Sequence, residues 1–126
     1  MSSATTLRPP PVGTLRSTIE HLDRTGRLHV LRVGRKQVES TSGLLFTGSP
    51  FSRGEMARSL QVSFVPGGAV VPPATFDEAT GRIHLHYTDR DHPEVQALLQ
   101  SRRSRLCYFW RSADGLRSRA WLVISG

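Results

Sequence analysis

The stretch Leu106-Cys-Tyr-Phe-Trp110-Arg-Ser-Ala-Asp-Gly115-Leu-Arg-Ser-Arg-Ala120-Trp-Leu-Val-Ile124 decides the fold class. Two runs rich in aromatic and branched apolar residues flank Asp114-Gly115, a strong short signal for a β-hairpin. A two-residue turn there pairs Trp110 with Arg119, Tyr108 with Trp121 and Leu106 with Val123. On the other face it pairs Phe109 with Ala120 and Cys107 with Leu122, because successive side chains of a strand point to opposite sides. Both faces are apolar near the middle, so the hairpin belongs at the centre of a domain. Cys107, Phe109, Ala120 and Leu122 are the expected core. Tyr108, Trp110, Trp121, Arg117 and Arg119 share the opposite face.

Immediately upstream lies a helix, expected over about residues 92–102. Asp91 and Glu94 have capping-box spacing, and Pro93 falls in the first turn, where a missing N–H costs nothing. Val95, Leu98 and Leu99 make one apolar face, and Arg102 and Arg103 suit the negative end of the helix dipole. Before the helix the pattern is that of strands. Leu60, Val62 and Phe64 alternate with Gln61 and Ser63, and Arg82–Tyr87 follows an Asp77…Gly81 turn. Leu44-Leu-Phe46 is a short apolar run, and Pro72 and Pro73 confine residues 69–76 to a sheet edge. Thr14–Leu22 and Arg27–Gly34 read as two strands around Asp23-Arg-Thr-Gly26. Ser52 and Glu55 match capping-box spacing and suggest a single helical turn at 53–57. Residues 1–13, with Pro9, Pro10 and Pro11, read as a flexible tail ahead of a single domain at 14–126. The fold class is therefore mainly β: a small antiparallel barrel or roll of about seven to eight strands with one helix and a terminal hairpin.

Length and composition agree with one domain. A chain of 126 residues can bury roughly two-thirds of its unfolded surface without staples. Its single cysteine, Cys107, excludes a disulfide framework within the chain. No apolar run reaches the roughly 20 residues of a membrane span, and the N-terminus lacks the apolar core of a secretory signal. A soluble, cytoplasmic protein is expected.

Charge points to the partner. The chain carries 17 basic and 10 acidic residues, a net charge of +7. All the cations but Lys36 are arginine, whose planar fork fits phosphate and stacks on flat rings. A genome rich in G and C produces the same preference for arginine, so the ratio by itself is ambiguous. Residues 101–119 hold six arginines against Asp114, and residues 8–36 hold six arginines and Lys36 against Glu20 and Asp23. An acidic stretch at 76–94 separates them. Aromatics interleaved with arginines on one sheet face bind single-stranded nucleic acid: bases stack on the rings while guanidiniums neutralise phosphates. The candidate residues are Arg102, Arg103, Arg105, Tyr108, Trp110, Arg117, Arg119 and Trp121. The bland alternative is that the tryptophans are core or a subunit interface of a homo-oligomer or protein-interaction module.

Enzyme motifs are missing. There is no phosphate-binding Gly-x-x-x-x-Gly-Lys-Ser/Thr loop, no Gly-x-Gly-x-x-Gly after a strand and no Gly-x-Ser-x-Gly elbow. His84 and His86 point to one side of a strand, with Asp89, Asp91 and His92 close behind, a loose match to a His-x-His-x-Asp-His metal signature. Thr88 stands where that signature wants Asp, and Asp91 serves better as a helix cap. The reading is a non-enzymatic binder with no metal and no cofactor.

Residues 38–90 resemble the PilZ domain, a small β-barrel that in many bacterial proteins binds cyclic di-GMP. The resemblance rests on Ser40-Thr-Ser-Gly43, Leu44-Leu-Phe46, Gly54-Glu55, Leu60–Val65, Pro66-Gly-Gly68 and Asp77–Tyr87, followed by the helix. Val38 stands where the family has Asp, and Arg32 and Lys36 sit too close to Ser40 to supply its upstream Arg-x-x-x-Arg. The resemblance implies a barrel with a degenerate nucleotide site and a role in protein interaction.

Overall fold

The computed structural model describes residues 5–6, 26–38 and 43–125. The expected strand Thr14–Leu22, most of its turn and most of the Pro-rich tail lie outside the described residues. The strands are β1 (Thr5–Thr6), β2 (Gly26–Val38), β3 (Leu44–Pro50), β4 (Ser59–Val65), β5 (Thr75–Asp77), β6 (Arg82–Thr88), β7 (Ser104–Ser112) and β8 (Ser118–Ser125). One helix, α1 (His92–Leu99), follows a 3-10 turn at Asp89–Asp91. All the strands join one sheet in the order β1-β8-β7-β2-β3-β4-β6-β5. Its two ends approach each other. Ser118 Oγ donates to the Ala74 carbonyl and Arg111 donates to the Phe76 carbonyl, both at 3.0 Å. The sheet is therefore a nearly closed barrel, as the strand pattern predicts.

The β7–β8 register is the predicted one at every pair: Leu106 faces Val123, Cys107 Leu122, Tyr108 Trp121, Phe109 Ala120 and Trp110 Arg119. The turn itself is larger than two residues. Gly115 N–H donates to the Ser112 carbonyl, Ser112 N–H donates to the Arg117 carbonyl, and Gly115 takes φ +75°. Asp114 accepts from Ser112 Oγ and Leu116 N–H. A loop widened by one residue on each side leaves the register unchanged, so alternation fixed the pairing more firmly than it fixed the turn.

Inward side chains form rows across the barrel. Phe46, Leu60, Ile83 and Phe76 face one another across β3, β4, β6 and β5, and Leu44, Val62 and Leu85 form the next row. Leu31, Cys107 and Leu122 complete the opposite wall. All are buried, and each fully buried Leu or Ile stabilises by roughly 1.5–3 kcal/mol. β4 and β6 run parallel, because the chain between them crosses to the far edge to add β5. The β2–β3 register shifts between Val33 and Gln37. Gly34 sits at this irregularity, where a Cβ would lie 2.4 Å from the Thr47 carbonyl oxygen.

α1 closes one end of the barrel. Val95 and Leu99 are buried in the main core and Leu98 packs against it. The helix stops at Leu99 with Gln100 as its cap, so Arg102 and Arg103 lie beyond it rather than in its last turn. Asp91 makes no side-chain cap bond, and the 3-10 turn leads in instead. The helical turn expected at 53–57 is also absent. Glu55 N–H donates to the Ser52 carbonyl in a simple turn, and its side chain goes inward.

Candidate functional site

Pairing of β2 with β7 brings the two basic stretches together. Arg27 faces Arg111 and Arg32 faces Leu106, and Arg35 donates to the Arg102 carbonyl. Arg32, Arg35, Lys36, Arg102 and Arg103 are exposed along or just beyond this seam. Arg117 and Arg119 are exposed on the neighbouring β8 side. His29 Nδ1 lies 2.6 Å from Glu55 Oε2, and no described arginine has a described carboxylate within 4.0 Å. A guanidinium without a carboxylate partner keeps its donors for solvent or for an arriving phosphate.

The aromatic half of the predicted platform is corrected by burial. Trp110 is 3% exposed and Trp121 6% exposed, and with Val123 they form a second apolar cluster, against which Leu28 and Tyr108 pack. A ring with no open face cannot stack a base. The cluster is distinct from the core beneath Val95 and Leu99, and the Arg117 guanidinium lies 5.9 Å from the Trp110 ring centroid. Tyr108 is half-buried. Sequence reading missed Phe51, which is 45% exposed with the Arg32 guanidinium 4.9 Å from its ring centroid. Nothing in the local pattern marks Phe51, because it follows the end of β3.

Arg105 also departs from its assigned role. It is 4% exposed and donates to the carbonyls of Leu99 and Val33. It thereby satisfies an orphan carbonyl at the end of α1 and joins helix to barrel. A side chain occupied in this way is not a phosphate contact.

A cleft of about 440 Å³ lies at the opposite end of the barrel and is lined by Gly26, Arg27, His29, Glu78, Phe109, Arg111, Ser112 and Ala113. His29 has its ring 4.2 Å from that of Phe76, centroid to centroid, and its Nδ1 lies 2.6 Å from Glu55 Oε2. A carboxylate can only accept, so Nδ1 carries the proton and donates. Glu55 also accepts from the N–H groups of Val30 at 2.7 Å, Met56 at 2.9 Å and Ala57 at 3.0 Å. Burial raises the pKa of this carboxyl, but the Ala57, Val30 and His29 hydrogen bonds outweigh it and hold it below the ordinary value. A match to a capping box concealed this residue from sequence reading.

Comparison of the chain with protein-family models, curated proteins and solved structures found no match.

The remaining candidates carry less chemistry. His84 and His86 do share an outer face, with ring centroids 4.1 Å apart and Ser63 Oγ hydrogen-bonded to His84 Nε2 at 2.8 Å. Burial lowers both pKa values, and for His84 the charges of His86 and Arg82 lower it further. Among the described residues no group of three His, Cys, Asp or Glu side chains gathers to hold a metal. Cys107 is fully buried, and that burial pushes its thiol pKa far up. No described helix is long and apolar enough to cross a membrane. Residues 39–42, which hold most of the Ser40…Gly43 motif of the PilZ resemblance, lie outside the described residues.

Proposed function

We propose that the barrel binds a phosphate-rich ligand, most concretely single-stranded DNA or RNA, along the seam between β2 and β7, without catalysis. One observation carries this reading: the two basic strands are neighbours, and their arginines have no carboxylate partners among the described residues. Arg32, Arg35, Lys36, Arg102 and Arg103 contact phosphates in this reading, with Arg117 and Arg119 extending the surface. Phe51 and Tyr108 supply the flat faces that bases stack on. Trp110 and Trp121 support the wall from within their own cluster.

Binding of a labelled oligonucleotide, followed by fluorescence anisotropy against salt, tests the proposal. Each phosphate neutralised on a single strand contributes about −0.7 to the slope of log K against log salt. Four engaged guanidiniums therefore predict a roughly fifty-fold loss of affinity over a fourfold rise in salt. Absence of binding at micromolar protein, or affinity indifferent to salt, overturns it. Calorimetry with cyclic di-GMP separates this reading from a PilZ-like effector, and solution mass separates it from an assembly module that buries the same face in a homo-oligomer.

A further inference from the structure

The cleft lies at one end of the β2–β7 seam, where Arg27 and Arg111 face each other. We infer that this cleft is an end-recognition pocket for the terminal phosphate monoester of the bound strand, an inference that rests on the preceding proposal for the strand itself. Three features argue for it. Arg27 is exposed and has no hydrogen-bond or ion-pair partner among the described residues. Arg111 is held in place by its bond to the Phe76 carbonyl and by the Phe109 ring, 5.5 Å from its guanidinium. His29 is oriented by Glu55 through Nδ1–H, which leaves Nε2 as an acceptor that a hydroxyl of a terminal sugar can meet.

The cleft's size of about 440 Å³ falls within the range of small-ligand sites. A terminal monoester carries nearly twice the charge of an internal diester at neutral pH, because its second pKa lies near 6. Two guanidiniums lining one cleft therefore favour an end over the middle of a strand. Among the described residues Glu78 is the one acid in the lining, and it opposes the phosphate.

The test compares a short oligo-dT with a 5′-phosphate, the same strand with a 3′-phosphate and the same strand with hydroxyl ends. One of the phosphorylated strands is expected to bind about tenfold tighter than the hydroxyl-ended strand, the size of one charge-assisted contact. Arg27→Gln is expected to bring that strand down to the hydroxyl-ended value without moving the melting temperature, and Glu78→Gln to tighten it further. Calorimetry with thymidine 3′,5′-bisphosphate, against thymidine as the uncharged control, reads the cleft without the seam. Bisphosphate binding that is lost in Arg27→Gln upholds the cleft even where no strand binds and the seam reading fails. Equal affinity for all three strands, an end preference that survives Arg27→Gln, or a failure of both strands and bisphosphate to bind overturns it.

Discussion

Replacing Glu55 by glutamine tests whether one buried carboxylate anchors the loop between β3 and β4. The side chain is 6% exposed and accepts from three backbone N–H groups and from His29. A glutamine offers one oxygen. It can serve either the Val30 side or the Met56 and Ala57 side, and its NH2 then confronts the other donors. Hydrogen bonds to a charged group contribute about 1.5–3 kcal/mol, and breaking a buried pair costs about 3–5 kcal/mol. A loss of about 3 kcal/mol is expected at pH 7. For a chain of this length that lowers the melting temperature by roughly 10–15 °C. The pH dependence supplies a second reading. Because the folded carboxyl has a lowered pKa, its contribution is complete above the ordinary value of 4.5 and is lost as pH falls through the folded value. Glu55→Gln should therefore flatten the acid limb of the stability curve as well as lower it at neutrality. Thermal melts followed by circular dichroism from pH 3 to pH 7 measure both, the range being roughly that over which carboxylates titrate. A variant that melts within about 3 °C of the wild type at pH 7, or that keeps the wild-type acid limb, refutes the anchoring argument.

Arg105→Ala should lower stability by about 2–4 kcal/mol, since it orphans the Leu99 and Val33 carbonyls and opens a cavity beside α1. Arg103→Ala should leave melting unchanged and make the salt slope of oligonucleotide binding shallower by about 0.7; the two variants measured together separate a structural arginine from a phosphate contact. Cys107 should resist a thiol reagent in the native protein and react only at the rate of unfolding, because burial raises its pKa; fast native modification would contradict the placement of β7 in the core. His84→Gln with His86→Gln should flatten stability between pH 5 and 7, a window around the imidazole value of 6.5. Their lowered pKa values mean that the unfolded chain takes up protons first, so wild-type stability is present above that value and falls with acid. An unchanged slope in that window would show that neither burial nor neighbouring charge lowers the two pKa values.

The sequence carried the register of the β7–β8 hairpin because its determinants are local. Alternation of Cys107, Phe109, Ala120 and Leu122 with the opposite face leaves only one register that buries both sets. Helix α1 was legible for the same reason, through Val95, Leu98 and Leu99, although its end was overextended by reading Arg102 and Arg103 as dipole partners. The parallel pairing of β4 with β6 was not legible. It depends on where the chain between them goes, and Pro66-Gly-Gly68 marks a turn without saying which strand the chain returns to. The His29–Glu55 pair was hidden by a different ambiguity. Leu28, Val30, His29, Leu31 and Val33 make β2 apolar on both faces, so alternation alone does not place His29 inside. Once it is inside, a partner is obligatory, since a buried ring N–H without an acceptor costs about 1–3 kcal/mol. Glu55, 26 positions away, is that partner.

The burial of Trp110 and Trp121 changes which part of the barrel is available for recognition. Aromatic and basic residues on one strand face look the same in sequence whether the rings are open or covered, because coverage is a tertiary fact. Here the rings lie in the second apolar cluster while the charged forks beside them stay in solvent. A wall of this kind is stiff where it is apolar and adaptable where it is charged, since arginine side chains reorient at small cost and packed indoles do not. In the proposed reading, sequence-tolerant attraction to phosphate comes from the β2–β7 seam. Any finer discrimination has to come from a concave feature with fixed groups, and the cleft holding Arg27, His29 and Arg111 has that character: Glu55 locks the imidazole and the Phe76 carbonyl locks one guanidinium.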